Sequence, residues 1–276
     1  MLTRVISGIF LVIILAITMF SGGWVLFGVT FLISLVGFRE LIKATHVRPE
    51  ENKVCGVEAV GYAGIAAYYI VISQATDKVF FLFPIILTIM GMMLVYVLTF
   101  PKYKADKVMA AAFSFLYAPV LLSYIYQTRM MENGIYIVWL VFIASWVCDT
   151  CAYFSGVLLG KHKLAPVLSP KKSVEGSVGG VIGAAVVGFL YALVLQKIQT
   201  IVIPDNALWA FPVIAAVGSV LSQIGDLAAS GIKRDHGIKD YGNLIPGHGG
   251  IMDRFDSVIV TAPLIYYGAM LLMQLS

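Results

Sequence analysis

Asp149 and Asp226 each stand inside a long apolar run of the sequence. A charged side chain sunk in hydrocarbon costs about 3 kcal/mol or more, so an acidic group there is by default a candidate functional group. At a helical rise of about 1.5 Å per residue, Asp149 would lie about 18 Å from the cationic edge at Lys161, and Asp226 about 10 Å from Lys233. Side chains three or four apart share a helix face. Ser219, Ser222, Asp226, Ser230 and Lys233 form one polar stripe, and Ser145, Asp149, Tyr153 and Gly156 form a second. Stripes like these also arise as hydrogen-bonded contacts between helices. A third acidic pair tips the reading toward chemistry. Asp253 and Asp256 flank Arg254 just before the last apolar run, and helical spacing puts both carboxylates on one face. Upstream, Ile245-Pro246-Gly247-His248-Gly249-Gly250 offers glycines whose backbone N–H groups can approach a phosphate without side-chain obstruction. Carboxylates from separate helices beside a cationic, glycine-rich loop suit Mg²⁺-assisted phosphoryl chemistry, because Mg²⁺ takes few protein carboxylates and leaves positions for phosphate and water.

A second loop, Ser169-Pro170-Lys171-Lys172-Ser173-Val174-Glu175-Gly176-Ser177, places two lysines and three serines before a glycine-rich helix, as an anion cradle at a helix N-terminus would. It lacks the G-x-x-x-x-G-K-[ST] spacing of a Walker loop, which excludes P-loop ATPases on motif grounds. Gly180 and Gly183 read as helix-packing residues rather than ligand contacts. Of the four histidines (His46, His162, His236 and His248), none has a partner at zinc-binding spacing, and only His248 sits amid candidate chemistry, as a phosphate contact. Cys148 and Cys151 spell C-x-x-C inside an apolar run, where redox chemistry is not expected, and three cysteines in all imply no disulfide framework.

These groups must be positioned by membrane helices. The chain has 276 residues, 60% hydrophobic and 12% charged, about half the charged share of a soluble domain. Long apolar runs predict an all-α, polytopic membrane protein with nine helices over 5–20, 22–38, 57–74, 79–99, 108–126, 135–159, 178–196, 207–230 and 255–275. Val5–Met19 after Arg4 has the outline of a signal peptide, but Trp24–Phe38 follows at once, so an uncleaved helical hairpin is expected. The chain reads as a single integral membrane domain, with N-terminal helices in 1–100 and the helices that carry the candidate chemistry in 101–276. Its two longest connections, 160–177 and 231–254, are rich in Gly, Pro, His and Lys, and connections of that length are commonly functional. Nine crossings put only Lys78, Arg129 and Lys197 on one side, and the other 16 of the 19 basic residues on the opposite side. Lys and Arg accumulate in cytoplasmic loops, which places the N-terminus and both long loops in the cytoplasm. Cations gathered there would meet anionic lipid head groups and nucleotides.

The run Ser230-Gly231-Ile232-Lys233-Arg234, then Lys239-Asp240-Tyr241-Gly242, then Ile245 through Asp256 closely resembles the signature of phosphatidate cytidylyltransferases, also called CDP-diacylglycerol synthases. Asp149, Ala152-Tyr153, Gly156 and the Ser169–Gly176 run are similar to that family as well, whereas the N-terminal third matches only in general character. The resemblance implies that CTP and phosphatidate give CDP-diacylglycerol and pyrophosphate, in a homodimer of the bacterial inner (plasma) membrane whose cytoplasm-facing cavity opens sideways to lipid. No nucleic-acid partner is implied. The family's paired metal-binding aspartates would fall on Asp226 and Asp253, with K⁺ as a second ion beside Mg²⁺.

In that scheme the phosphatidate phosphate attacks the α-phosphorus of CTP, and positioning and electrostatic clamping of two polyanions supply most of the catalysis. Asp256 and Asp149 are expected as further ligands or orienting partners, and Lys171, Lys172, Lys233, Arg234, Lys239 and Arg254 as neutralising cations. His248, Gly249 and Gly250 would hold the leaving pyrophosphate. Ser169, Ser173, Glu175, Gly176, Tyr153 and Ser222 complete the expected substrate-binding set. Two rivals are a CTP-dependent lipid kinase, which would transfer the γ-phosphoryl group, and an ion-coupled transporter, in which Asp149 and Asp226 would carry ions.

Overall fold

Apolar runs satisfy their backbone internally only as helices when no water is at hand. The computed structural model describes residues 2–50, 53–198, 206–245, 247 and 249–275, and all nine predicted stretches fall on helices. Seven helical stretches among the described residues are long and apolar enough to cross a membrane, beginning with Gly23–Ala44 and ending with Ala207–Asp235. The helices α1 (Leu2–Ser21) and α2 (Gly23–Ala44) are separated at Gly22, where φ is +58°. This left-handed conformation suits glycine and ends the first helical ladder. Helix α2 runs six residues past its predicted end at Phe38, because Arg39, Glu40 and Lys43 continue the helix beyond the apolar run.

The chain divides into two compact units, the first comprising Met1–Tyr126 with His236–Arg254, and the second Gln127–Asp235 with Phe255–Ser276. The first unit thus extends to residue 126, and residues 236–254 of the second long loop group with the N-terminal helices. Apolar patterning does not reveal such a partition, which depends on contacts between segments distant in sequence.

In the first unit, α2, α3 (Gly56–Gln74), α4 (Leu82–Leu98) and α5 (Ala105–Phe115) bury Phe38, Tyr68, Tyr69, Phe115 and Met92. Several polar groups in this core are paired. Ser34 and Tyr69 share a 2.7 Å hydrogen bond, and Tyr68 and Ser123 share one of 2.9 Å. Arg48 grips the fully buried Glu58 carboxylate through both Nε (2.8 Å) and Nη2 (2.7 Å). Pro119 lies in a π turn, Leu116–Val120, that joins α5 to α6 (Leu121–Arg129). A proline cannot donate to the helical ladder, and the wider turn accommodates the gap.

In the second unit, two short helices, α7 (Gly134–Ile137) and α8 (Trp139–Phe142), lead through a π turn, Ile143–Val147, into α9 (Cys148–Leu159). A hairpin of β1 (Lys163–Ala165) and β2 (Ser169–Ser173) follows. Then come α10 (Val174–Lys197), α11 (Ala207–Asp235) and α12 (Met252–Leu275), the last entering this unit at Phe255. The strands are a local addition to the all-α architecture within a stretch that reads from sequence as an irregular loop. Gly180 and Gly183 let α10 lie directly on α9. A Cβ at Gly180 would come within 2.9 Å of the Cys148 carbonyl, and one at Gly183 within 2.4 Å of Cys151 Sγ. Helix packing therefore occupies both members of the C-x-x-C pair, and their thiols are unbridged.

Candidate active site

The β-hairpin and the start of α10 build one wall of a cleft of about 400 Å³ in the second unit, and α9 and α11 build the rest. Ser173 ends β2 and caps α10, its Oγ accepting from the Gly176 N–H at 3.1 Å. An N-cap serine satisfies a donor that the helix leaves unpaired. Glu175 ties down the base of the hairpin by accepting from the Lys161 N–H (3.0 Å) and the His162 N–H (3.2 Å), and its Oε1 lies 2.6 Å from His162 Nδ1. With both ends fixed, β2 presents Lys171 and Lys172 to the cleft.

Asp226 reaches the same cleft from α11 and forms an ion pair with Lys172. Asp149 and Tyr153 line it from α9, beside Gly156 and Gly176. The π turn just before Cys148 resets the helical register that aims Asp149, and such turns recur at functional sites. Gln223, one turn before Asp226, also lines the cleft. Its Nε2 donates to the Ser177 carbonyl at 3.2 Å, and Ser177 Oγ donates back to its side-chain oxygen. Asp256, partly buried on α12, lies within electrostatic reach of Asp226, Asp149 and Lys233.

Three carboxylates felt at one place repel one another unless cations lie among them. Among the described residues, however, no group of three or more His, Cys, Asp and Glu side chains converges as a metal cage. This donor set suits a hard cation that keeps water and substrate oxygens and takes one or two carboxylates, which is how Mg²⁺ binds. It does not suit zinc.

In the first unit, the loop ahead of α12 is organised by two carboxylates. Asp253, 8% exposed, accepts on Oδ2 from the Tyr241 N–H (2.8 Å) and the Gly250 N–H (2.9 Å). Glu40, on α2, accepts from the Ile251 N–H (3.0 Å) and the Met252 N–H (2.8 Å). The amide hydrogens that the glycine-rich sequence would offer to a phosphate are, at Gly250, Ile251 and Met252, donated to the protein's own acids. Gly249, with φ +87°, turns the chain where a Cβ would come within 2.8 Å of Asp253 Oδ2.

The cleft thus gathers Asp149, Tyr153, Lys171, Lys172, Ser173, Gly176 and Asp226 from the predicted set. Ser169 begins β2 opposite Ala165, and Glu175 braces the hairpin. Ser222 is fully buried one turn before Asp226, and its Oγ finds no hydrogen-bond partner among the described residues. Lys233 is partly exposed near Asp256, and Arg234 is exposed. Asp253, Gly249, Gly250, Lys239 and Arg254 belong to the first unit, where Lys239 and Arg254 are exposed. His248 lies outside the described residues. Sequence reasoning missed Gln223 and Glu40. The first is uncharged, and the second sits between Arg39 and Lys43, where it reads as ordinary charge at the end of an apolar helix.

Over residues 2–272 the chain matches the cytidylyltransferase family. The chain belongs to that family. Among curated cytidylyltransferases, the phosphatidate cytidylyltransferase of Staphylococcus haemolyticus is 32% identical over 96% of this chain and 97% of that protein. That of Staphylococcus epidermidis is 31% identical over the same shares. The phosphatidate cytidylyltransferase of Staphylococcus saprophyticus is 43% identical over a shorter stretch, 57% of this chain and 58% of that protein. For a cytidylyltransferase, a lysine-rich hairpin beside carboxylates is suitable equipment. Lysines in general can offset phosphate charge, and carboxylates can hold a divalent ion.

Proposed function

We propose that this membrane cytidylyltransferase converts CTP and phosphatidate into CDP-diacylglycerol and pyrophosphate. The observation that carries the reading is the Lys171–Lys172 hairpin set against Asp226 and Asp149 in one cleft, in a chain that matches the family along its length. A phosphate oxygen of phosphatidate forms a bond to the α-phosphorus of CTP, the bond from that phosphorus to the bridging oxygen breaks, and pyrophosphate leaves with the electron pair. No protein nucleophile is needed, because the attacking group is already an anion. The obstacle is repulsion between two polyanions, and positioning with charge neutralisation answers it.

Lys171 and Lys172 bind the nucleotide phosphates, with Lys172 exchanging its Asp226 partner for phosphate oxygens. Lys233, Arg234, Lys239 and Arg254 supply further positive charge for nucleotide and lipid head group, and Tyr153 contributes to substrate binding. Asp226 is proposed as a Mg²⁺ ligand, with Asp256 and Asp149 setting the local negative potential; Asp253 is likewise proposed as a Mg²⁺ ligand. When bound, Mg²⁺ would neutralise phosphate charge and polarise the transferring phosphoryl group. K⁺ as an accompanying ion, homodimer formation, and a plasma-membrane location with the N-terminus and long loops cytoplasmic complete the proposal. The excess of Lys and Arg on one side of the helices supports that orientation. The family match does not support the lipid-kinase or transporter readings. The test is pyrophosphate release by detergent-purified protein with Mg²⁺. Release is expected only when CTP and phosphatidate are both present, and release indifferent to phosphatidate would overturn the proposal.

A further inference from the structure

We infer that Glu40 is a positioning residue for Asp253, acting through the start of α12; the inference rests on the proposed role of Asp253 as a metal ligand. Glu40 is 8% exposed and lies 211 residues before its first partner, with its carboxylate laid across the incoming end of that helix. Oε1 accepts from the Ile251 N–H and Oε2 from the Met252 N–H. The preceding N–H, that of Gly250, goes to Asp253 Oδ2. Three consecutive amide hydrogens are therefore divided between two acids, one from the same helix and one from α2.

The fit around Glu40 is close. A Cβ at Gly250 would come within 2.4 Å of Oε1, and one at Gly242 within 2.5 Å of the same oxygen. Both glycines let the loop close onto the carboxylate. The first N–H groups of a helix lack partners within it and carry partial positive charge, so a nearby acid will occupy them. With Glu40 in place, Asp253 Oδ2 takes the Gly250 and Tyr241 N–H groups, which hold that oxygen toward the loop. Without Glu40, the Ile251 and Met252 N–H groups are open to Asp253, and its carboxylate is drawn away from that position. An outer partner that orients a metal-binding side chain commonly changes metal affinity by about 10–100-fold when replaced.

The test uses full-length protein in detergent and reads Mn²⁺ binding by electron paramagnetic resonance without substrate, alongside the Mg²⁺ concentration for half-maximal activity. Glu40→Gln keeps the shape but turns an amide NH₂ toward one of two donors, and both readouts are expected to weaken by about 10–100-fold. Glu58→Gln, which loosens the Arg48 pair in the same unit, serves as the control and is expected to lower thermal stability without moving either readout. If Glu40→Gln does not accumulate, Gly242→Ala presses a methyl group on the same carboxylate and is expected to give the same shift. Folded Glu40→Gln or Gly242→Ala with wild-type Mn²⁺ affinity and Mg²⁺ dependence would overturn the inference. Wild-type protein that makes no liponucleotide would instead overturn the proposed function.

Discussion

At the residue scale, the legible part of the site is the part that violates its surroundings. Asp149 and Asp226 interrupt apolar runs, and Lys171 and Lys172 interrupt a stretch of serines and glycines, so each declares itself by type and place. Glu40 and Gln223 do not, since one looks like charge at a helix end and the other is neutral, and their partners are known only once the chain is folded. Asp226→Asn keeps the shape while removing the charge paired with Lys172. It is expected to lower kcat/KM by about 100-fold or more, the scale of losing one electrostatic group at a reacting centre. Near-normal rates in saturating Mg²⁺ would remove Asp226 from the chemistry. Replacing Lys171 and Lys172 together by alanine is expected to raise KM for CTP by about tenfold or more, since each charge-assisted contact contributes about 1.5 kcal/mol. An unchanged KM would assign these lysines to membrane topology alone.

At the element scale, helices are legible because each crossing needs about 20 apolar residues in a row. The hairpin is not, because Ser169-Pro170-Lys171-Lys172-Ser173 has little strand propensity, and its form is imposed by the Ser173 cap and the Glu175 brace. The π turns ahead of α6 and α9 are equally silent, since an extra residue in a helical turn leaves no mark on apolar patterning. The glycines of α10 can be read as packing residues, and they set how closely α9 and its Asp149 approach. Gly180→Val is therefore expected to destabilise the protein by about 1–3 kcal/mol through overpacking and to lower activity with it, measured by thermal unfolding and turnover in the same detergent. A variant with unchanged melting and turnover would show that this contact does not set the position of α9.

At the scale of the whole molecule, composition alone indicates a membrane protein, and the uneven distribution of basic residues is the basis of the proposed orientation. The partition into two units, with 236–254 grouped with the N-terminal helices, is invisible in the sequence because it is made by contacts such as Glu40 to Met252. The central claim is that the chain moves a cytidylyl group onto a lipid phosphate. Parallel reactions with CTP carrying ³²P at either the α or the γ position, with phosphatidate, Mg²⁺ and purified protein, test it most directly. The account predicts that α label enters the organic phase as liponucleotide while γ label stays in the aqueous phase as pyrophosphate. Gamma label in the lipid, with CDP left in the aqueous phase, would contradict it.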